Sequence, residues 1–171
     1  MKTLVAMLLC MLVGTTSMYA HQTKKLRKED LPVAVRTAFE KTYPNASIKG
    51  VGQEKEDGKL LYEIESVDGS TNRDILYTLE GKAWEVEESI ALDSLPGVVR
   101  KAIQKESPGG KVMKAEKVTR GKVLEYELHV EKNKHITELV IDAKGNVVKT
   151  EQVKEKKEKE ESEEDEEDDN D

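Results

Sequence analysis

The chain has 171 residues, of which 28 are basic, 35 acidic and only seven aromatic. A charged fraction of 37% excludes an integral helical membrane protein, and so few aromatic side chains argue against one large aromatic core. The net charge of −7 is unevenly placed: residues 154–171 hold twelve acids and four bases, whereas His21 to Val153 carries 23 of each. A neutral body has no basic surface with which to displace phosphate counterions, so nucleic acid is not an expected partner.

Met1-Lys2, the apolar run from Leu4 to Val13, a more polar Gly14 to Tyr19 and the small Ala20 follow the order of a secretory signal peptide, residues 1–20, cleaved after Ala20. The apolar run is about ten residues, half of what spans a bilayer. No stable membrane insertion is expected after cleavage. Cys10 is the only cysteine, and Leu9 stands before it where a lipoprotein would need a small residue. The mature chain then has no thiol, and so no disulfide, cysteine nucleophile or thiolate metal site.

The body repeats. Leu31 to Pro44 (LPVAVRTAFEKTYP) and Leu95 to Pro108 (LPGVVRKAIQKESP) are identical at seven of fourteen positions with an offset of 64. The register continues through Tyr62 and Tyr126, Glu63 and Glu127, Ile64 and Leu128, and Gly81 and Gly145; only Gly58 and Gly121 differ by 63. Each unit opens as a helix, with Asp30 and Ser94 as expected N-caps and Pro32 and Pro96 in the first turn. Leu31, Val35, Ala38 and Phe39 form one apolar stripe, as do Leu95, Val99, Ala102 and Ile103. Pro44 and Pro108 end the helices.

Strands follow. Ser47 to Glu54 and Lys111 to Val118 are extended segments, and period-two alternation marks Leu60 to Glu65 and Leu124 to His129 as strands with one face buried. Turns at Asp68-Gly69 and Lys132-Asn133 lead to Ile75 to Leu79 and Ile136 to Ile141. Hairpins at Glu80-Gly81 and Lys144-Gly145-Asn146 then lead to Ala83 to Val86 and Val147 to Lys149. The expected fold class is α+β: two tandem repeats, residues 29–90 and 93–152, each one helix followed by a three- to four-stranded antiparallel sheet with the helix on one face. A unit of about sixty residues buries only about 60% of its unfolded surface, so the two are expected to associate by side-by-side sheet pairing. Residues 153–171 are expected to be a disordered acidic tail.

The succession LPxxVxxAfxxxYP, extended segment, YEI or YEL, turn and hairpin resembles the PepSY-like domains, also described as β-lactamase-inhibitor-like. The signature is carried by Leu31, Pro32, Val35, Phe39, Tyr43, Pro44, Tyr62, Glu63 and Ile64, and again by Leu95, Pro96, Val99, Ile103, Pro108, Tyr126, Glu127 and Leu128, with Ser107 in place of the tyrosine. The resemblance spans about Glu29 to Gln152. It implies bacterial origin, a periplasmic or secreted location and a non-catalytic binding or inhibitory role, and it carries over no catalytic residues. Fold likeness alone does not fix activity.

The residues themselves supply weak chemistry. His129 and His135 flank a turn and could approach each other, but two imidazoles without a placed carboxylate make a poor metal site. Glu63, Glu65, Glu125 and Glu127 share the expected outer sheet face, where solvation without a cleft argues against a glycosidase-like carboxylate pair. Gly109-Gly110 reads as a turn. Trp84, the only tryptophan, could pack in the core or stand as an exposed anchor for a partner. The expected partner-binding residues are Glu63, Glu65, Trp84, Glu125, Glu127 and His129, with no catalytic residue, no metal and no cofactor beyond weak Ca²⁺ association at the acidic tail. The leading reading is an exported, non-enzymatic module presenting its open sheet face to an unidentified protein partner in the cell envelope. The alternative is a structural or cation-associating envelope protein acting through its tail.

Overall fold

The computed structural model describes residues 24–153 except Asp57. The expected signal peptide, and the acidic tail from Lys154 onward, lie outside the described residues. Two ten-residue helices, α1 (Val33–Thr42) and α2 (Gly97–Glu106), accompany nine strands: β1 (Lys24–Lys25), β2 (Ser47–Glu56), β3 (Lys59–Asp68), β4 (Thr71–Tyr77), β5 (Ala83–Ser89), β6 (Lys111–Arg120), β7 (Val123–Lys132), β8 (His135–Asp142) and β9 (Val147–Gln152). Among the described residues no helix is long and apolar enough to cross a membrane.

The expectation of two repeats, each with its own small sheet, is corrected. All nine strands form one antiparallel sheet in sequence order, β1 to β9. The physical reason is the ladder between β5 and β6, which sets Val86 opposite Thr119, Glu87 opposite Val118, Glu88 opposite Lys117 and Ser89 opposite Glu116. Pairing these strands satisfies two rows of backbone donors and acceptors that separate sheets would leave as edges. Side chains reinforce the seam on both faces. Lys117 Nζ lies 2.7 Å from Glu88 Oε2 on the helix side, and Arg120 pairs with Glu85 on the other.

The helix starts also differ from expectation. Pro32 and Pro96 are themselves the N-caps, and their carbonyls accept from the amides of Arg36 and Arg100 at 3.1 and 3.0 Å. Asp30 and Ser94 instead close short 3₁₀ turns, Lys28–Asp30 and Leu92–Ser94. There Asp30 accepts two 2.9 Å bonds from the Arg27 guanidinium. At the other end Pro44 and Pro108 follow the caps Tyr43 and Ser107, as a residue without an amide donor should.

The two helices lie on the same face of the sheet, each over its own core. Leu31, Val35 and Phe39 pack on Val51, Ile64, Ile75 and Tyr77. Leu95, Val99, Ala102 and Ile103 pack on Ala115, Tyr126, Leu128, Val130, Leu139 and Ile141. The hairpin glycines fasten these helices down. Gly81 has φ of +78°, and a Cβ there would stand 2.4 Å from the Ala34 carbonyl oxygen; at Gly145, with φ of +89°, it would stand 3.0 Å from that of Val98. Both positions need the missing side chain for approach as well as for conformation. The 63-residue spacing of Gly58 and Gly121 is no insertion: β2–β3 and β6–β7 are both closed by two residues, with glycine second in one turn and first in the other.

Candidate functional site

Strand alternation sends every second side chain away from the helices. On β3 these are Leu61, Glu63 and Glu65, since Tyr62 and Ile64 face the core. Cross-strand register places Glu54 opposite Leu61, Leu76 opposite both Glu63 and Glu85, and Asp74 opposite both Glu65 and Glu87. Across the seam the same face carries Glu116, Val118 and Arg120 on β6, then Glu125, Glu127 and His129 on β7. Glu138 and Val140 on β8 and Lys149 on β9 complete it.

This open face was expected to be a solvated plane without a cleft. It instead forms a groove of about 370 Å³, lined by eight carboxylates against two cations, Arg120 and Lys149. Leu61, Leu76 and Val118 are buried on this face, and the acid side chains stand among them. Partial burial makes the charged carboxylate costly, and like charges nearby add to that cost. Burial, then the neighbouring Glu127, Glu85 and Glu116, push Glu87 up to about 8. Asp74 is raised by burial and then by Glu116 and Glu65. Glu127 is raised by burial and then by Glu138 and Glu116.

Cations answer part of this charge. Arg120 bridges Glu85 and Glu56, the latter at 2.9 Å, so it joins β6 to β5 and to β2 across the groove. Burial still holds the Glu85 carboxyl above its ordinary range. Lys114 Nζ sits 2.7 Å from the buried Glu116. Lys149 reaches Glu138 at 2.8 Å and Glu151 at 2.9 Å, and the hydrogen bonds to both raise its own pKa.

Trp84 occupies the irregularity where β4 and β5 shift register, between the pairs Leu76–Glu85 and Tyr77–Ala83. It belongs to neither hydrophobic core. Its Nε1 donates to Glu56 Oε2 at 2.9 Å, and the Lys59 ammonium stands 3.6 Å from its ring centroid. Since Glu56 also binds Arg120, the indole forms one end of the groove's charged network.

The chain matches the family described as "Putative beta-lactamase-inhibitor-like, PepSY-like" over residues 17–84 and 61–149. It belongs to the PepSY-like family. No curated protein matches it. Solved structures share its fold at low identity. A protein of Bacteroides eggerthii described as a putative periplasmic protein is 19% identical, covering 71% of this chain and 88% of its own, with a TM-score of 0.61. A DUF2874 family protein of Bacteroides uniformis is 19% identical over 71% and 89%, with a TM-score of 0.60. A BLIP-like protein of Bacteroides fragilis is 18% identical over 70% and 84%, with a TM-score of 0.55.

In this PepSY-like chain the six residues expected to bind a partner lie on or at the rim of one face, but they do not converge on one point. Glu63 and Glu127 line the groove, and Glu125 lies next to it along β7. Glu65 is exposed, with its carboxylate in the space left by Gly50, where a Cβ would meet it at 2.6 Å. His129 and His135 do not form a pair. His129 Nε2 points to Glu127 and Glu138, 3.9 Å from each, while His135 lies at the β7–β8 turn beside Lys134 and Ile136. Sequence reasoning missed Glu54, Glu56, Asp74, Glu85, Glu87, Glu116 and Glu138, and both groove cations, Arg120 and Lys149. The signal for Glu85 and Glu87 was present in the alternation Trp84-Glu85-Val86-Glu87, which continues β5 to Ser89.

Proposed function

We propose that this chain is an exported, non-catalytic binding module whose open-face groove docks a basic surface of a protein partner in the cell envelope. The observation that carries this reading is the segregation of charge. A body with equal numbers of acids and bases lines one groove with eight acids and two cations. Carboxylates held half out of water beside one another gain from an incoming cationic surface, which relieves both the repulsion and the desolvation. Buried apolar side chains beneath the acids add a floor that long lysine or arginine stems can cover. Membership of the PepSY-like family supports a binding role, and the envelope location accords with the description of the Bacteroides eggerthii protein. Inhibition would follow where the docked surface holds the partner's working site.

The test is a titration of the full chain with a decalysine peptide, followed through Trp84 emission at low and moderate salt. Because the tail is itself acidic, the comparison is between variants that all retain it. Glu63→Lys with Glu125→Lys should abolish the Trp84 response, and raising salt should weaken it. Reversals on the helices, Glu40→Lys with Glu106→Lys, should leave it intact. Equal loss in both pairs would overturn the reading.

A further inference from the structure

We propose that Glu127, His129 and Glu138 form a site for a single divalent transition-metal ion, with Zn²⁺ as its natural probe. Two of these residues, Glu127 and Glu138, also line the docking groove, but the occupant proposed here is an ion and its test involves no partner.

The argument starts from register. His129 on β7 is directly opposite Glu138 on β8, and Glu127, two residues along the same strand, shares its face. The imidazole Nε2 lies 3.9 Å from Glu127 Oε1 and 3.9 Å from Glu138 Oε2. One donor atom from each of the three falls within 4.8 Å of the others. Zinc bonds of about 2.0–2.2 Å in a tetrahedral site place neighbouring donors roughly 3.3–3.5 Å apart. Each carboxylate–imidazole separation therefore exceeds that donor spacing by about half an ångström. One imidazole and two carboxylates suit a borderline-soft ion, and three protein donors leave a fourth coordination position open.

A second observation lies outside the three donors. Glu138 is split between two neighbours: Oε1 accepts from Lys149 Nζ at 2.8 Å, while Oε2 is the atom turned to the imidazole. A partner that holds the non-ligating oxygen and orients the other is the outer-shell arrangement metal sites use. The side chains of Glu127, His129 and Glu138 are 25%, 25% and 21% exposed, so the donors are screened from bulk water yet reachable from it. From the packed strands, Glu116 and Lys114 on β6, Glu87 on β5 and Lys149 with Glu151 on β9 set the local field. The nearby set of Asp74, Glu87 and Glu116 offers oxygen alone, and Lys114 already occupies Glu116; it carries no such proposal.

The experiment is calorimetric titration of the full, chelator-treated chain with Zn²⁺ in millimolar Ca²⁺, which competes for clusters of carboxylate oxygens alone, with Co²⁺ absorption in the visible as a second readout. One equivalent of Zn²⁺ should bind at micromolar concentration. His129→Ala and Glu138→Gln should each weaken it by at least about tenfold, and His135→Ala should not. Should His129→Ala fail to fold, as judged by Trp84 emission, His129→Asn replaces it. Unchanged affinity in the His129 and Glu138 variants would overturn the site. So would the absence of stoichiometric Zn²⁺ uptake by the unmodified chain.

Discussion

The two faces of the sheet have kept different things across the 64-residue offset. Beneath the helices, Leu31 answers to Leu95, Val35 to Val99, Ile64 to Leu128 and Ile75 to Leu139, all buried. On the open face Gly50 answers to Lys114, Glu54 to Val118, Glu56 to Arg120 and Glu65 to His129. A packed core tolerates only changes that preserve volume and apolarity, whereas an open face can change charge at small cost. The halves are thus alike where they are held together, whereas the open face keeps some acids, Glu63 and Glu127 among them, and changes charge at its other positions. What is specific to this chain is written on the second surface.

Four measurements would break or sharpen that contrast. The largest effect is expected beneath the helices: Ile64→Ala and Leu128→Ala should each cost about 2–5 kcal/mol in denaturant unfolding, because both residues are fully buried. Glu127→Gln on the open face should cost far less, and an equal cost would erase the distinction between the faces. Next comes Arg120→Ala, which leaves the buried Glu85 carboxylate without its cation and should destabilise by about 1–3 kcal/mol. It also cuts the link between β6 and β2.

A pH effect follows in size. Glu87 is raised in the folded chain to about 8, so between its ordinary carboxylate range and that value the folded state binds more protons than the unfolded one. Stability from this group is therefore present in acid and lost as pH rises toward about 8. Glu87→Gln should flatten that decline; a profile as steep as the parent's would place the titration elsewhere. The smallest effect is at the rim. Lys59→Ala removes a cation from the Trp84 face, costing about 0.5–1 kcal/mol and shifting the Trp84 emission to the red without altering the core variants' behaviour.

Much of the covered face was legible in the sequence, because a helical stripe and a period-two strand both announce where apolar groups gather. Val35, Phe39, Ile64 and Leu128 are where periodicity puts them. Side-by-side pairing of the two halves was expected from their size, but the edges and register that join them into one nine-stranded sheet were not legible in the same way. Alternation says which side chains share a face, but not which edges exchange hydrogen bonds, and the β5–β6 ladder depends on β5 and β6 extending to Ser89 and Arg120 beyond their apolar segments. The helix caps were misread because Asp30 and Ser94 have the right chemistry, while the prolines had already set the backbone for entry. Of the site, Glu63, Glu127 and His129 could be placed on a face from one strand's pattern. Glu138 could not, since its approach to His129 rests on the left-handed pair Asn133 and Lys134, whose two-residue turn sets Lys132 against His135 and so His129 against Glu138.

The order of strands also has a kinetic consequence. Of the ladders between β2 and β9, all but one are tight hairpins that close over a few residues, so each can zip as soon as its turn forms. The exception joins β5 to β6, where the chain first makes an excursion through α2 and the loops on either side. Closing that longer loop carries more entropy and waits for the helix to settle on its own core. The molecule should accordingly assemble as two zippered sections that lock last along their shared border. In native-state hydrogen exchange, amides of that border would open before those of β3 or β7.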